Sequence, residues 1–477
     1  MVKAVHAVSD VNKIRIIDTP HMWGKPMNKS SATVCAEAAL KDLSETAQIM
    51  VSGGVQLVDI VSLNPPTGSL LQAIWDGLLS MASLPRKRRV VVRFLFGFVP
   101  VEGMVESFVK ALCAFCSDNK LPLDEMTILV GELYQSTKGF WNHAKIIAVD
   151  GTVALVGGHN LWAESYGTYP PVHDISVQVI GPSAAAAQNF ATWLWQGGNL
   201  LAVRKITPSY GTQALNPGQD RDKTCLIELR HDHYSPMPDE RYRWCTGRVL
   251  TLGRGGLLGG NASDVAKQTL IKGARRNLKI CQQDLFFTGF TKVEDHMVCQ
   301  WIADAVIANP NLVVDIVVSP IGGATHGAQY SWGHGASGTF KVLTEIVTAK
   351  VKKFTSDAGT LDNAIARLHV APFCFTDVTF KAEGEDYVWP DPPSSSIVGR
   401  FTPGSMTPLG FKYPPAPGNH AKVYIVDDTC YYIGSDNLYP HNLAEFGFLI
   451  EGASVKDLLD NYWNYVWKYS SPHIVKQ

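Results

Sequence analysis

The sequence lacks an excess of charge of either sign. Its 477 residues include 42 Lys and Arg against 43 Asp and Glu, which gives a formal net charge of −1. Proteins that bind the phosphate backbone of nucleic acids usually carry a clear positive excess. The composition therefore argues against a nucleic-acid-binding protein, and the basic run at 86–89 is interpreted as a solvated connection because an apolar strand is predicted directly after it.

Long apolar runs and a regular cysteine pattern are also missing. No stretch of 18 apolar residues occurs, so no membrane span is predicted, and no signal peptide is visible because the N-terminal residues contain no uninterrupted apolar segment. A secreted mature chain and a cytoplasmic protein both stay open as locations. The nine cysteines are scattered, which indicates neither a disulfide framework nor a zinc site.

The sequence does contain enough apolar residues for a large core, 46% against 18% charged residues. Apolar runs of strand length alternate with segments of helical periodicity, which predicts an α/β fold. The same order of elements occurs twice. We therefore expect an N-terminal domain at 1–205, a junction with excursions at 206–263 and a C-terminal domain at 264–477.

A motif of fixed spacing marks this repeat. In each copy Lys follows His by two residues and Asp follows it by seven, and a Gly-Gly or Gly-Ser turn leads to an Asn 17 residues after the His (160 − 143 and 437 − 420). The first copy consists of His143, Lys145, Asp150, Gly157, Gly158 and Asn160, and the second consists of His420, Lys422, Asp427, Gly434, Ser435 and Asn437.

The spacing within each copy has a physical meaning. The residues between Lys and Asp are β-branched or apolar, so each copy is predicted to form a buried strand. Side chains two residues apart on a strand point to the same face, which places each His beside its Lys. Each Asp lies an odd number of residues from its His, so it points to the opposite face at the strand end. A structural role is therefore favoured over a catalytic one, although the Asp completes the motif.

Two long loops interrupt the second half, at 319–338 and 384–419, and both are rich in Gly or Pro. Loops of this length in a compact domain often act as lids or substrate walls, and a variable surface excursion is the alternative. The candidate substrate-contacting residues are Trp332, His334, Trp389 and Tyr413. The pair His231 and His233 could ligate a metal, but a surface turn is favoured because no further ligands are evident.

The paired His-x-Lys-x-x-x-x-Asp motifs, each followed by a Gly-containing turn and Asn, resemble those of the phospholipase D superfamily. The segments at 331–334, 432–440 and 445–451 are similar to secreted bacterial phospholipases D. This resemblance implies two similar α/β/α sandwich domains related by a pseudo-twofold axis, with one active site at their interface.

The resemblance also implies residue roles. His143 is expected to attack phosphorus and form a phosphohistidine, and His420 to protonate the leaving alcohol and then deprotonate the incoming water or alcohol. The Lys and Asn residues of both motifs would hold phosphoryl oxygens, while Asp174 and Glu445 would orient the histidines. This scheme requires no metal and no other cofactor.

The activity that the resemblance implies is that of a phospholipase D, which releases the head group of phosphatidylcholine-like lipids or transfers the phosphatidyl group to an alcohol. The expected partners are a phospholipid at a membrane or micelle surface and water or an alcohol, with no nucleic acid and a monomeric enzyme. The alternatives are a superfamily nuclease, a phospholipid synthase and a non-enzymatic binding protein. The missing basic excess argues against a nuclease, and the missing N-terminal apolar spans argue against a phospholipid synthase. The intact motifs argue against a non-enzymatic binding protein.

Overall fold

A computed structural model describes residues 6–26, 29–84, 89–97, 103–135, 139–167, 169–196, 200–216, 229, 238–260, 262–286, 297–320, 324–325, 328–330, 334–354, 358–377, 380–381, 388–389, 417–438 and 443–475. The candidate metal ligands His231 and His233, the loop residues Trp332 and Tyr413, and most of the basic run at 86–89 lie outside these ranges.

Strands and helices alternate through both halves of the chain. The strands up to the chain midpoint are β1 (Val8–Thr19), β2 (Leu57–Ser62), β3 (Val90–Phe96), β4 (Met126–Glu132), β5 (Tyr134–Gln135), β6 (Phe140–Trp141), β7 (Ile146–Val149), β8 (Val153–Gly157), β9 (Asp174–Ile180), β10 (Ala202–Ile206) and β11 (Thr212–Leu215). Those that follow are β12 (Cys245–Gly255), β13 (Asn277–Gln282), β14 (Val313–Val318), β15 (Ala324–Thr325), β16 (Ala328–Gln329), β17 (Leu368–Pro372), β18 (Phe380–Lys381), β19 (Val388–Trp389), β20 (Lys422–Val426), β21 (Cys430–Gly434) and β22 (Ala444–Glu451).

The α-helices cover the faces of the sheet. They are α1 (Lys29–Ser52), α2 (Gly68–Ala82), α3 (Met104–Asp118), α4 (Ala163–Gly167), α5 (Ser183–Gln196), α6 (Ala262–Gly273), α7 (Met297–Ala308), α8 (Gly335–Phe354), α9 (Ala358–Ala366), α10 (Ala453–Leu458) and α11 (Asn464–Ser470). No helix within the described ranges is long and apolar enough to cross a membrane.

Within the described ranges, sixteen strands form one continuous sheet around a central antiparallel pair, β1 and β12. Outward from β1 the order is β9, β8, β7, β2, β3, β4, β10, β11, and outward from β12 it is β22, β21, β20, β13, β14, β17. The strands β2, β3 and β4 run parallel to one another, as do β13, β14 and β17, and the other neighbours pair antiparallel. Among the described strands, only the side of β1 is extended by two further strands, β10 and β11. The α/β prediction is confirmed, and the two sides repeat one topology.

Alternate residues of the parallel strands face two different cores. In β3, Val92 and Phe94 pack into a core with α1, α2 and α3, while Val91 and Leu95 pack on the other face with α5. Because helices cover both faces of the sheet, every residue of this strand is buried, and all of them except Arg93 are apolar. The core behind α5 also contains residues of β20, β21 and β22, so the two sides of the sheet share it.

The sequence did not identify the two central strands. Exposed and buried residues mix along β1, and the same holds for the first half of β12, so neither strand has a long apolar run. β12 also lies within the range 206–263, where few regular elements were expected. The helix α9 directly precedes β17, and a π-helical turn at Leu459–Trp463 lies between α10 and α11. The domain boundaries at 205 and 264 stay predictions.

Candidate active site

The two motifs occupy matching places in the sheet. His143 and Lys145 come directly before β7, and His420 directly precedes Ala421 and Lys422 at the start of β20. Each of these strands pairs with the innermost parallel strand of its own side, β2 or β13. The repeated topology therefore brings the His end of each motif to a corresponding position.

Backbone hydrogen bonds join each motif to the opposite side of the sheet. The amide of His143 donates to the carbonyl of Ala444 over 2.8 Å, and the amide of His420 donates to the carbonyl of His173 over 2.8 Å. Ala444 precedes Glu445, and His173 precedes Asp174. Each motif histidine is thus fixed beside the carboxylate that the other half contributes.

The side chains follow the same crossed arrangement. His143 Nδ1 lies 2.8 Å from Glu445 Oε1, and His420 Nδ1 lies 2.7 Å from Asp174 Oδ2. All four residues are buried. The longer Glu side chain reaches its histidine as closely as the Asp does. A carboxylate on Nδ1 fixes the ring orientation and favours the tautomer with its proton on Nδ1, which leaves Nε2 as the basic nitrogen.

The two lysines lie in the same buried site. Each Nζ donates to the backbone carbonyl of its own motif histidine, at 2.6 Å for Lys145 and in the same way for Lys422. Burial lowers the pKa of Lys145 to about 8 and that of Lys422 to about 7, although the carboxylates of Asp174 and Glu445 oppose the shift. Buried ammonium groups favour an anion beside them, because an anion restores the charge stabilisation that burial removes.

The pKa values of both histidines also lie well below their usual range. Burial is the main cause, and the positive charges of Lys145 and Lys422 add to it at both rings. The charge of His143 further lowers the pKa of His420, so the two rings act on each other within one site. A bound phosphodiester anion would reverse part of this shift, because it would compensate the lysine charges.

The Gly-containing turn that follows β8 or β21 in each motif contacts the carboxylate of Asp174 or Glu445. A Cβ at Gly158 would lie 1.9 Å from Asp174 Oδ1, so a side chain at this position would displace the carboxylate. Ser435, at the same place in the second copy, donates from Oγ to Glu445 Oε2 over 2.6 Å. Gly157 and Gly434 are closely packed against β9 and β22 in the same manner.

The motif asparagines are buried directly after these turns. The backbone amide of Asn160 donates to the hydroxyl of Tyr166 over 2.7 Å, and that hydroxyl donates to Asp174 over 3.1 Å. Asn437 has the matching position in the second copy. Asn160 therefore adjoins the pair of His420 and Asp174, and the role of both asparagines at phosphoryl oxygens stays a prediction.

Asp150 and Asp427 lie at the opposite end of the motif strands. The carboxylate of Asp150 accepts the backbone amides of residues 55, 56 and 57 over 2.7–2.9 Å. That of Asp427 accepts the amides of residues 275, 276 and 277 over 2.6–3.1 Å. Both residues have a positive φ, 53° and 54°. Their contacts close the starts of β2 and β13 and fit the structural role, not chemistry at the histidines.

The first long loop reaches the site through a residue outside the candidate set. The ring of Tyr330 packs edge-on against His420 with centroids 5.0 Å apart. His334 is buried just before α8, with its ring 4.4 Å from Phe286. Trp389 lies on β19, which pairs with β18.

The residue before each motif histidine is an asparagine for which no role was predicted. Asn142 Nδ2 donates to the carbonyl of Ser62 over 3.1 Å, and Asn419 Nδ2 donates to that of Gln282 over 2.8 Å. These bonds tie each histidine to the end of β2 or β13. The sequence could have indicated a role for these asparagines, because Asn-His-Ala-Lys occurs in both copies of the motif.

A buried ion cluster beside Glu445 was also missed. Arg254 Nη2 lies 2.9 Å from Asp436 Oδ1 and 3.7 Å from Glu445 Oε1. Lys267 Nζ lies 2.9 Å from the second oxygen of Asp436. Arg254 is on β12, where no motif marks it, whereas Asp436 could have been noticed because its counterpart in the first copy is His159.

In the part of the chain that the structure describes, no group of three or more His, Cys, Asp or Glu residues is arranged to hold a metal ion. The polar groups that interact with one another in the site are the histidine–carboxylate pairs and the two lysines. Such a set supplies a nucleophile, an acid and cationic donors, which are the requirements of transfer at a phosphodiester.

Comparison with known proteins shows which enzymes the chain resembles. No protein-family model matches the chain. The chain is 25% identical over 512 aligned residues to the phospholipase D of Streptomyces antibioticus, and the match covers 95% of this chain and 80% of that protein. The expected resemblance to the phospholipase D superfamily is confirmed.

Other proteins match over a smaller part of the chain or at lower sequence identity. Cardiolipin synthase A of Pseudomonas fluorescens Pf-5 is 33% identical over 124 residues, which cover 25% of this chain and 24% of the synthase. For the Pseudomonas syringae enzyme of the same name the values are 43% over 98 residues, 18% and 20%. The crystal structure of the phosphatidylserine synthase of Haemophilus influenzae Rd KW20 matches with a TM-score of 0.55 at 14% identity, covering 92% of this chain and 86% of that one. This last likeness shows the shared fold.

Proposed function

We propose that the protein is a phospholipase D that cleaves the distal phosphodiester bond of phosphatidylcholine-like lipids and transfers the phosphatidyl group to water or an alcohol. The observation that carries the proposal is the crossed pairing of His143 with Glu445 and of His420 with Asp174. It gives two imidazoles in one buried site, each held by a carboxylate through Nδ1, so that both Nε2 atoms are available to one substrate.

In the first step, His143 Nε2 attacks phosphorus while the bond from phosphorus to the head-group oxygen breaks. His420, protonated, gives its Nε2 proton to that oxygen, and the free alcohol leaves. The phosphatidyl group then stays on His143 as a phosphohistidine. Binding of the anionic substrate assists the acid, because it raises the pKa of His420 from the low value that burial and the lysines impose.

In the second step, water or an alcohol attacks phosphorus and passes its proton to His420, and the bond between phosphorus and His143 breaks. Lys145, Lys422 and the motif asparagines stabilise the charge on the non-bridging oxygens in both steps. These groups take the place that a metal ion has in other phosphoryl-transfer sites. We therefore expect turnover to persist in the presence of a chelator.

A phosphatidyltransferase that uses a second lipid or serine as acceptor is the second candidate. It shares the first step and differs only in the acceptor. The similarity to cardiolipin synthases over up to a quarter of the chain favours it. The similarity to a phospholipase D over 95% of the chain favours the hydrolase with alcohol transfer.

The test is product analysis with the purified protein in EDTA and mixed micelles of phosphatidylcholine. Choline and phosphatidic acid are expected without alcohol, and phosphatidylethanol with added ethanol. Parallel reactions contain phosphatidylglycerol or serine as acceptor, or DNA as substrate. Faster formation of cardiolipin or phosphatidylserine would assign the synthase reaction instead, and cleavage of DNA without any lipid product would overturn both proposals.

A further inference from the structure

Two strand registers identify equivalent residues beside the two carboxylates. In the pairing of β1 with β9, Thr19 is opposite Asp174, and in the pairing of β12 with β22, Arg254 is opposite Glu445. Because β1 and β12 are equivalent in the repeated topology, Thr19 and Arg254 occupy the same place.

A second pair of equivalent positions lies 16 residues after each motif histidine (159 − 143 and 436 − 420). His159 Nε2 is 2.9 Å from the hydroxyl of Thr19, and Asp436 Oδ1 is 2.9 Å from Arg254 Nη2. Burial lowers the pKa of His159 to about 4, so its ring is neutral near pH 7. The same two places thus hold a neutral pair beside Asp174 and an ion pair beside Glu445.

The difference reaches the oxygens that bind the histidines. Glu445 Oε1, which accepts His143 Nδ1, also lies 3.7 Å from the Arg254 guanidinium. Asp174 Oδ2, which accepts His420 Nδ1, instead accepts the neutral hydroxyl of Tyr166 over 3.1 Å. A cation close to a carboxylate reduces the stabilisation that this carboxylate gives to an imidazolium.

We propose that the buried pair Arg254–Asp436 makes the two active-site histidines unequal, with Arg254 acting through Glu445 to keep His143 neutral as the nucleophile. Arg254 is in this sense a positioning residue. This inference extends the proposed function and depends on it for the assignment of His143 as the nucleophile. The inequality itself is a property of the folded protein and is measurable without substrate.

The charges that face His143 support the direction of the effect. Besides its hydrogen bond to Glu445, the ring is exposed to Lys145, Lys422 and Arg254, which lower its pKa, and to Asp436, which raises it. Removing the cation of the buried pair should therefore raise the pKa of His143. Removing the anion should have the opposite sign, since Asp436 raises the pKa of His143 and Arg254 then keeps Asp264, at 3.2 Å, as its remaining close counter-ion besides Glu445.

The direct test is a pH titration of the His143 ring nitrogens by NMR in the 15N-histidine-labelled full chain, assigned with His143→Gln. Arg254→Gln is expected to raise the midpoint of His143 by about one pH unit and to leave that of His420 in place. Asp436→Asn must not raise it, and the double variant R254Q/D436N should return close to the wild-type midpoint. Thr19→Val, at the place equivalent to Arg254, is the matched control and should leave His143 unchanged.

An unmoved His143 midpoint in folded Arg254→Gln, or an equal shift at both histidines, would overturn the inference. If the single Arg254 variant fails to fold, a raised midpoint in Asp436→Asn contradicts the inference, whereas a lowered one supports it. The proposed function fails separately, when the wild-type protein makes no lipid product although its histidines titrate as expected.

Discussion

His420 and Asp174 lie 246 positions apart in the sequence, and their side chains share a hydrogen bond of 2.7 Å. The reciprocal bond joins His143 and Glu445 across 302 positions. Neither half of the chain therefore holds a complete histidine–carboxylate pair. The chemistry of the site depends on both halves being folded against each other.

Removing one carboxylate should affect the histidine of the other half. In Asp174→Asn, His420 loses its anionic partner, its pKa falls, and the alkaline limb of the pH profile of kcat/KM is expected to move to lower pH. In Glu445→Gln the acidic limb, set by His143, should move to lower pH. Both variants should lose about 10²–10⁴-fold in kcat, as expected when an orienting carboxylate is removed. If the two variants moved the opposite limbs, the crossed assignment would be wrong.

The lysines should make anion binding depend on pH. The pKa of Lys422 is lowered to about 7 and that of Lys145 to about 8, mainly by burial. Raising the pH from 6 to 9 discharges both groups in the free protein. Competitive inhibition by dimethyl phosphate, whose own charge is constant in this range, should therefore weaken by about tenfold per pH unit between pH 7 and 8, where Lys422 discharges, and more steeply above pH 8, where Lys145 discharges as well. An inhibition constant that stays level from pH 6 to 9 would contradict this assignment of charge.

The same burial should cost stability. The folded-state pKa of Lys422 lies below its ordinary value of 10.5, so the unfolded chain binds more protons between pH 7 and 10.5 and stability rises with pH across that window. Lys422→Met removes the buried charge. The variant should melt about 2 °C higher than the wild type at pH 7, with the difference shrinking towards pH 10, while turnover is lost. A melting temperature below that of the wild type at pH 7 would count against a desolvated ammonium at this position.

Substitution of the motif aspartates should lower the stability of the protein without a large change in kcat. Asp150→Asn and Asp427→Asn each lose charged acceptors for three backbone amides, so each is expected to lower the free energy of unfolding by about 1–3 kcal/mol. The kcat of the fraction that stays folded should change by less than about threefold, because neither carboxylate contacts a motif histidine. Denaturant unfolding and active-site-titrated kinetics measure the two effects. A loss of kcat as large as that in Asp174→Asn would restore the catalytic role.

Much of the site could be predicted because its signal is local. His, Lys, Asp and the Gly-containing turn have fixed spacings on one hairpin, and a hairpin is set by neighbouring residues. The crossed bonds were beyond such reasoning, because the partners of His143 and His420 are decided by how two distant halves pack. Asp174 and Glu445 were identified through the resemblance alone, and their partners were not.

The central strands show the same limit. β1 and β12 carry mixed polar and apolar residues, since the polar ones find partners within the fold, and this mixture hides their period from the sequence. Arg254 was missed for that reason. Its burial is tolerated because Asp436 and Glu445 lie beside it, and neither contact is visible along the chain.

The claim on which the account depends is that the two histidines act on one phosphorus atom, one as nucleophile and the other as acid. The direct measurement is mass spectrometry of the protein quenched in alkali within milliseconds of mixing with short-chain phosphatidylcholine. A phosphatidyl adduct is expected on the peptide containing His143. It should accumulate in His420→Asn, be absent in His143→Ala and be unchanged in the distant control His473→Ala. An adduct on the His420 peptide, or full turnover in either active-site variant, would contradict it.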